Sequence, residues 1–169
     1  MRAHPDLELL YDEQNLVWSS ADLAVVFLST PVDEEEKLPV YKLADAEVRT
    51  GDRITMVGFG LGETGRPFGE RRYGENRVSW IRRMESGSVE FIAGSQRLED
   101  GSAASHAYGG DSGGGCFSAG DNTVLVGVIG SRAESAKKGS FSVMTSVFAH
   151  RKWLEAQIQE AASLDATAR

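Results

Sequence analysis

The sequence predicts a mainly β protein with a single helix at its C-terminus, and three observations carry that expectation. Short apolar or alternating runs recur along the chain, Gly, Asp and Ser residues separate them, and no amphipathic stretch lies between consecutive runs. This is the pattern of barrels and sandwiches, not of βαβ units. Only the tail VFAHRKWLEAQIQEAA, residues 147–162, departs from it, with Val147, Leu154, Ile158 and Ala161 near one face at a helical period.

Taken in order, strands are predicted at residues 23–28 (LAVVFL), 38–43 (LPVYKL), 53–59 (RITMVGF), 88–93 (SVEFIA), 123–129 (TVLVGVI) and 140–147 (SFSVMTSV). The glycine-rich stretches 58–69 and 101–115 read as long loops, which in a compact domain are functional or mobile. The last residues, SLDATAR, have little to pack and are expected to fray.

Composition excludes several function classes. With 169 residues, 41% hydrophobic and 25% charged, the chain has enough apolar material for one good core or two small ones. A net charge of -7 and the lack of a Lys/Arg-rich block argue against nucleic acid as a partner, since phosphates need cations to neutralise them. No apolar run approaches the length of a membrane-spanning helix, so no membrane association is expected. The segment MRAHPDLELLYDEQ does not read as a secretory signal. Cys116, the single cysteine, excludes an intrachain disulfide. Nothing in the sequence calls for a metal or other cofactor.

Residues 109–115, GGDSGGG, place Asp111 and Ser112 among five glycines. Read locally, the string is a turn, because glycine supplies positive φ and Asp and Ser are turn formers. The alternative is a place where backbone N–H groups come close to a ligand. A serine nucleophile needs a base to take its proton and preorganised donors for the oxyanion it creates. Asp22 alone reads as a strand-start cap or ion-pair partner, and His106 as a solvated loop residue. Cys116 reads as a small buried hydrophobe, because nothing cationic flanks it. Trp153 reads as a packing residue. The acidic run DEEEK at 33–37 reads as a solvated loop, with a calcium or partner site as its alternative.

Read in order, the flanking segments resemble the trypsin-like, chymotrypsin-fold serine peptidases. GDSGG at 110–114 is similar to that family's nucleophile motif, and ADLAVVFL at 21–28 to its aspartate motif. Between them come Pro31, LPVYKL, Gly51, VGFG at 57–60 and RRYGENRV at 71–78, the last similar to a stretch frequent in bacterial members. LVGVIG at 125–130 and FSVMTSV at 141–147 resemble the family's last strands.

The resemblance implies a double β-barrel in which residues about 1–50 are the remainder of a first barrel, about 51–147 a second barrel and about 148–163 the C-terminal helix. It implies that Ser112 attacks a peptide carbonyl, that the amides of Gly110 and Ser112 form the oxyanion hole, and that Asp22 orients the general-base histidine. By the same resemblance Asp111 organises the oxyanion loop. Gly130, Ser131 and Arg132 form a wall of the substrate cleft, and His106 lies at the base of the specificity pocket. The partner is a peptide or protein substrate, and the setting is secreted or periplasmic.

Two departures from the family pattern qualify this. Where the family commonly has Ser-Trp-Gly, this chain has Gly130, Ser131 and Arg132. The catalytic histidine belongs well upstream of the aspartate motif, and His4, His106 and His150, the three histidines present, match other places. The expectation is therefore a serine endopeptidase chain without its general base, a fragment inactive on its own, whose first barrel a missing segment or a partner completes. The alternative is a non-catalytic binding module with the same fold.

Overall fold

The computed structural model describes residues 1–13, 15–29, 38–62, 69–135, 137 and 139–167. The predicted class is the one the chain adopts: among the described residues, β-strands throughout and then a single helix. The acidic run at 33–37 and Pro31 lie outside the described residues.

Six strands close into a barrel. They are β6 (Arg53–Gly58), β7 (Arg72–Arg83), β8 (Val89–Ala93), β9 (Gly115–Ser118), β10 (Asp121–Ser135) and β11 (Gly139–Ser146). Their order is β11-β8-β7-β6-β9-β10, and pairing of β10 with β11 completes the circle. Closure removes the free edges of an open sheet. Alternate side chains point inward, so Ile54 and Met56 from β6, Val78 from β7, Phe91 and Ala93 from β8, Cys116 from β9 and Met144 from β11 fill one core. Cys116 is fully buried, and burial pushes its thiol pKa up, as its reading as a small hydrophobe requires. Short β5 (Lys42–Leu43) lies parallel to β10 at Val124 and Leu125.

The N-terminal residues make two smaller sheets. β1 (Arg2–Ala3) pairs with β4 (Ala24–Val25), and β2 (Glu8–Asp12) with β3 (Asn15–Ser20). The sequence did not mark β1, β2, β3 or β7 as strands. The predicted strands at 23–28 and 38–43 shrink to β4 and β5, leaving Val26, Leu28, Leu38 and Val40 exposed. An apolar run becomes a strand only where a neighbour completes its hydrogen-bond ladder, and these runs meet one over two residues each.

Helix α1 (Arg151–Thr167) continues through most of the tail expected to fray. Its buried face also differs from the expected one: Gln157 is buried while Ile158 is 57% exposed. Arg2 explains the difference, since its Nη1 donates to Gln157 Oε1 at 2.7 Å and its guanidinium pairs with Glu160 one turn on. Polar anchoring to β1 sets the rotation of the helix. Trp153 packs its ring 4.7 Å from that of His4.

Candidate active site

The loop before β9 is held from three directions. Asn76, buried in β7, donates to the Ser105 carbonyl at 2.6 Å and accepts the Ser95 amide. The Ala107 amide donates to Ser142 Oγ at 2.8 Å. Farther on, Leu61 N–H binds the Gly109 carbonyl, while Gly113 N–H and Ile129 N–H tie the loop to β10 through Ile129 O and Gly114 O. A buried loop must pair its backbone groups, and here barrel side chains supply part of the pairing.

Asp111 is the organiser. Its Oδ1 accepts the Gly60 amide and its Oδ2 the Tyr108 amide, both at 2.8 Å. The approach demands glycine across the way: a Cβ on Gly58 would lie 2.2 Å from Asp111 Oδ1, and one on Gly60 would lie 2.7 Å from both Oδ1 and the Asp111 amide. VGFG therefore leaves space for a carboxylate. Gly110 and Gly113 adopt φ of 93° and 83°, conformations that glycine takes without Cβ strain. The result turns Asp111 inward and Ser112 outward.

Ser112 is exposed, and its hydroxyl donates to the Gly130 carbonyl at 3.1 Å. The amides of Gly110 and Ser112 donate to none of the described residues. A recess of about 420 Å³ opens beside them, lined by Tyr41, Phe59, Arg71, Phe117 and the loop glycines.

Asp22 reaches the same wall from the N-terminal sheets. Ala21 adopts a left-handed φ of 50°, costly for a residue with a Cβ, and its amide donates to Ser88 Oγ at 3.0 Å. The Leu23 amide then closes back on the Ala21 carbonyl. This turn carries the Asp22 carboxylate to within 3.5 Å of where a Gly130 Cβ would stand. Asp22 and Ser112 thus converge on Gly130, one facing the place its Cβ would take and the other bonded to its carbonyl. The negative charge of Asp22 also reaches buried Glu90, whose carboxyl pKa is raised first by burial, against the opposing effect of its Arg82 partner.

Beyond Gly130, Ser131 and Arg132 continue β10. The Arg132 guanidinium stands 4.5 Å above the Tyr108 ring, Nη2 donates to Ser140 Oγ at 3.0 Å, and the group pairs with Glu134. His106 is elsewhere, half-buried in a cavity of about 160 Å³ with Gly58, Gly60, Arg72, Tyr108 and Asp111. Neither Ser112 nor residues 130–132 line that cavity.

His4 and His150 form a separate cluster. His4 Nε2 and His150 Nδ1 are 3.2 Å apart, and His150 Nε2 is 3.1 Å from Ser88 Oγ. The Asp6 amide donates to His4 Nδ1, which fixes the proton of the neutral ring on Nε2. The order then runs one way: His4 Nε2–H to His150 Nδ1, and His150 Nε2–H to Ser88 Oγ. Ser88 accepts in this chain, so His150 is not its base. Burial lowers both imidazole pKa values, that of His150 to about 4 with a contribution from His4. The cluster ties the start of α1 to the Ala21 turn that presents Asp22.

The sequence left Tyr108, Asn76 and the glycine pair 58 and 60 without these roles. VGFG held the available signal, because two glycines flanking a bulky residue at a strand end mark a close approach. Among the described residues no group of His, Cys, Asp and Glu is arranged to hold a metal, and no helix is long and apolar enough to cross a membrane.

A family model described as Trypsin matches residues 8–154, most of the chain. No curated protein matches it.

Proposed function

Because the chain belongs to the trypsin family, whose function is of the serine endopeptidase type, we propose that Ser112 is the nucleophile of a peptide-bond hydrolase. The observation that carries this is the convergence of Ser112 and Asp22 on Gly130, beside amides of Gly110 and Ser112 that have no described partner. In this reading Ser112 Oγ attacks the carbonyl carbon of a peptide bond. The two amides receive the developing negative charge, the C–N bond breaks with the amine leaving on the proton taken from the serine hydroxyl, and water then hydrolyses the acyl-enzyme to a carboxylic acid and free Ser112. Asp22 serves as the orienting carboxylate for an imidazole placed between it and Ser112.

None of the chain's three histidines takes that intermediate place in this reading. His4 and His150 are committed to each other and to Ser88, and His106 lines the Asp111 side of the loop. The base comes from polypeptide outside these 169 residues, a missing segment or a partner. On its own the chain then retains only what its oxyanion donors and binding groups supply, roughly 10³- to 10⁴-fold over water. The reading also carries export from the cell, the usual setting of the family.

Imidazole in solution stands in for the absent group. The hydrolysis rate of a nitrophenyl ester, taken as the difference between wild type and Ser112→Ala, is expected to rise with imidazole concentration. Equal rates for the two proteins at every concentration reject the proposal.

The bond from Ser112 Oγ to the Gly130 carbonyl favours a second reading, a non-catalytic peptide-binding module, because it directs the hydroxyl proton to an amide oxygen and away from any base. Peptide binding by a protein whose Ser112 stays inert in the presence of imidazole supports that reading.

A further inference from the structure

We propose that Arg132 selects substrates with a carboxylate side chain next to the bond presented to Ser112; this rests on the hydrolase reading above. From Gly130 to Ser135, β10 is laddered by β11 along one side, while its pairing with β9 ends at Val128. Among the described residues the edge beside Ser112 is therefore open to an added strand. A peptide laid along residues 130–132 with its carbonyl at Ser112 brings the preceding side chain towards the guanidinium of Arg132.

The guanidinium there is built to receive an anion. Its stacking on Tyr108 fixes the plane, and Ser140 Oγ and Glu134 hold Nη2. Nε is buried and has no hydrogen-bond partner among the described residues. A buried donor left unpaired is unfavourable, and an incoming carboxylate that accepts from Nε and Nη2 side by side removes the defect with two charge-assisted bonds. Glu134 is the internal surrogate for that carboxylate. Its side chain is 65% exposed, so its ion pair contributes little and yields readily to a substrate. A Lys or Arg side chain brought to the same guanidinium meets a like charge and is rejected.

Isothermal titration calorimetry with acetyl-Ala-Ala-Pro-Glu-amide and its Gln and Lys counterparts tests the assignment on the full chain. The Glu peptide is expected to bind about tenfold or more tightly than the Gln peptide, and the Lys peptide most weakly. The preference disappears in Arg132→Gln and widens in Glu134→Gln, which leaves the Arg132 fold contacts in place. Equal affinities for the Glu and Gln peptides, a preference that survives Arg132→Gln, or no binding by any peptide overturns the proposal. Ester hydrolysis at Ser112 is scored separately. An inert Ser112 with an intact Glu preference rejects the hydrolase reading alone, and a reactive Ser112 without the preference rejects this assignment alone.

Discussion

Asp111 and Gly58 meet so closely that a Cβ on the glycine would stand 2.2 Å from the carboxylate oxygen Oδ1. The contact joins the end of β6 to the serine loop, and it makes the glycine at position 58 a condition for turning Asp111 inward and Ser112 outward. Gly58→Ala is expected to destabilise the protein by about 1–3 kcal/mol, the cost of overpacking a filled site. Chemical denaturation measures it, with a loss of reactivity at Ser112 accompanying the loss of stability.

Asp111→Asn keeps the shape and changes the pairing. One side-chain oxygen still accepts an amide, but the new NH₂ faces an N–H donor at Gly60 or Tyr108, where an acceptor stood. An unpaired donor of this kind costs about 1–3 kcal/mol. Denaturation midpoints of the two proteins compare directly, and equal midpoints exclude the organising role.

The His4–His150 chain makes stability depend on pH. Both imidazoles have pKa values below the ordinary 6.5, that of His150 about 4. The unfolded chain therefore binds more protons than the folded one as pH falls from 6.5 towards 4, and stability is lost across that window while staying full above it. A proton added to His150 Nδ1 faces the His4 Nε2–H and breaks the link. His150→Gln preserves one donor and one acceptor without titrating, so it is expected to flatten the acid slope by on the order of 2 kcal/mol between pH 6.5 and pH 4. Thermal midpoints measured across that range check it.

Cys116 is enclosed in the barrel core and its thiol pKa is pushed up by burial. It is expected to resist a thiol reagent in the native protein and to react once the barrel is unfolded in denaturant. Fast labelling without denaturant contradicts the closed core.

The barrel strands that follow an inward alternation, such as Ile54 and Met56 in β6 or Phe91 and Ala93 in β8, were legible because one face must be apolar. β7 was not, since its inner positions include polar Asn76 beside Val78 and its outer ones are crowded with Arg and Glu. β2 escaped for another reason: Leu9, Leu10 and Tyr11 are exposed on successive positions, so neither face has the contrast that signals a half-buried strand. The serine loop was legible from its glycines. The His4, Ser88 and His150 cluster was not, because no local pattern links residues that only the folded chain brings together.

In the proposed hydrolase Ser112 is a nucleophile awaiting a base. Intact-mass and peptide mass spectrometry after fluorophosphonate treatment tests it most directly, with and without imidazole. A single adduct on Ser112 is expected that forms slowly, forms faster with imidazole and is absent in Ser112→Ala; an unlabelled Ser112 under both conditions rules the nucleophile out.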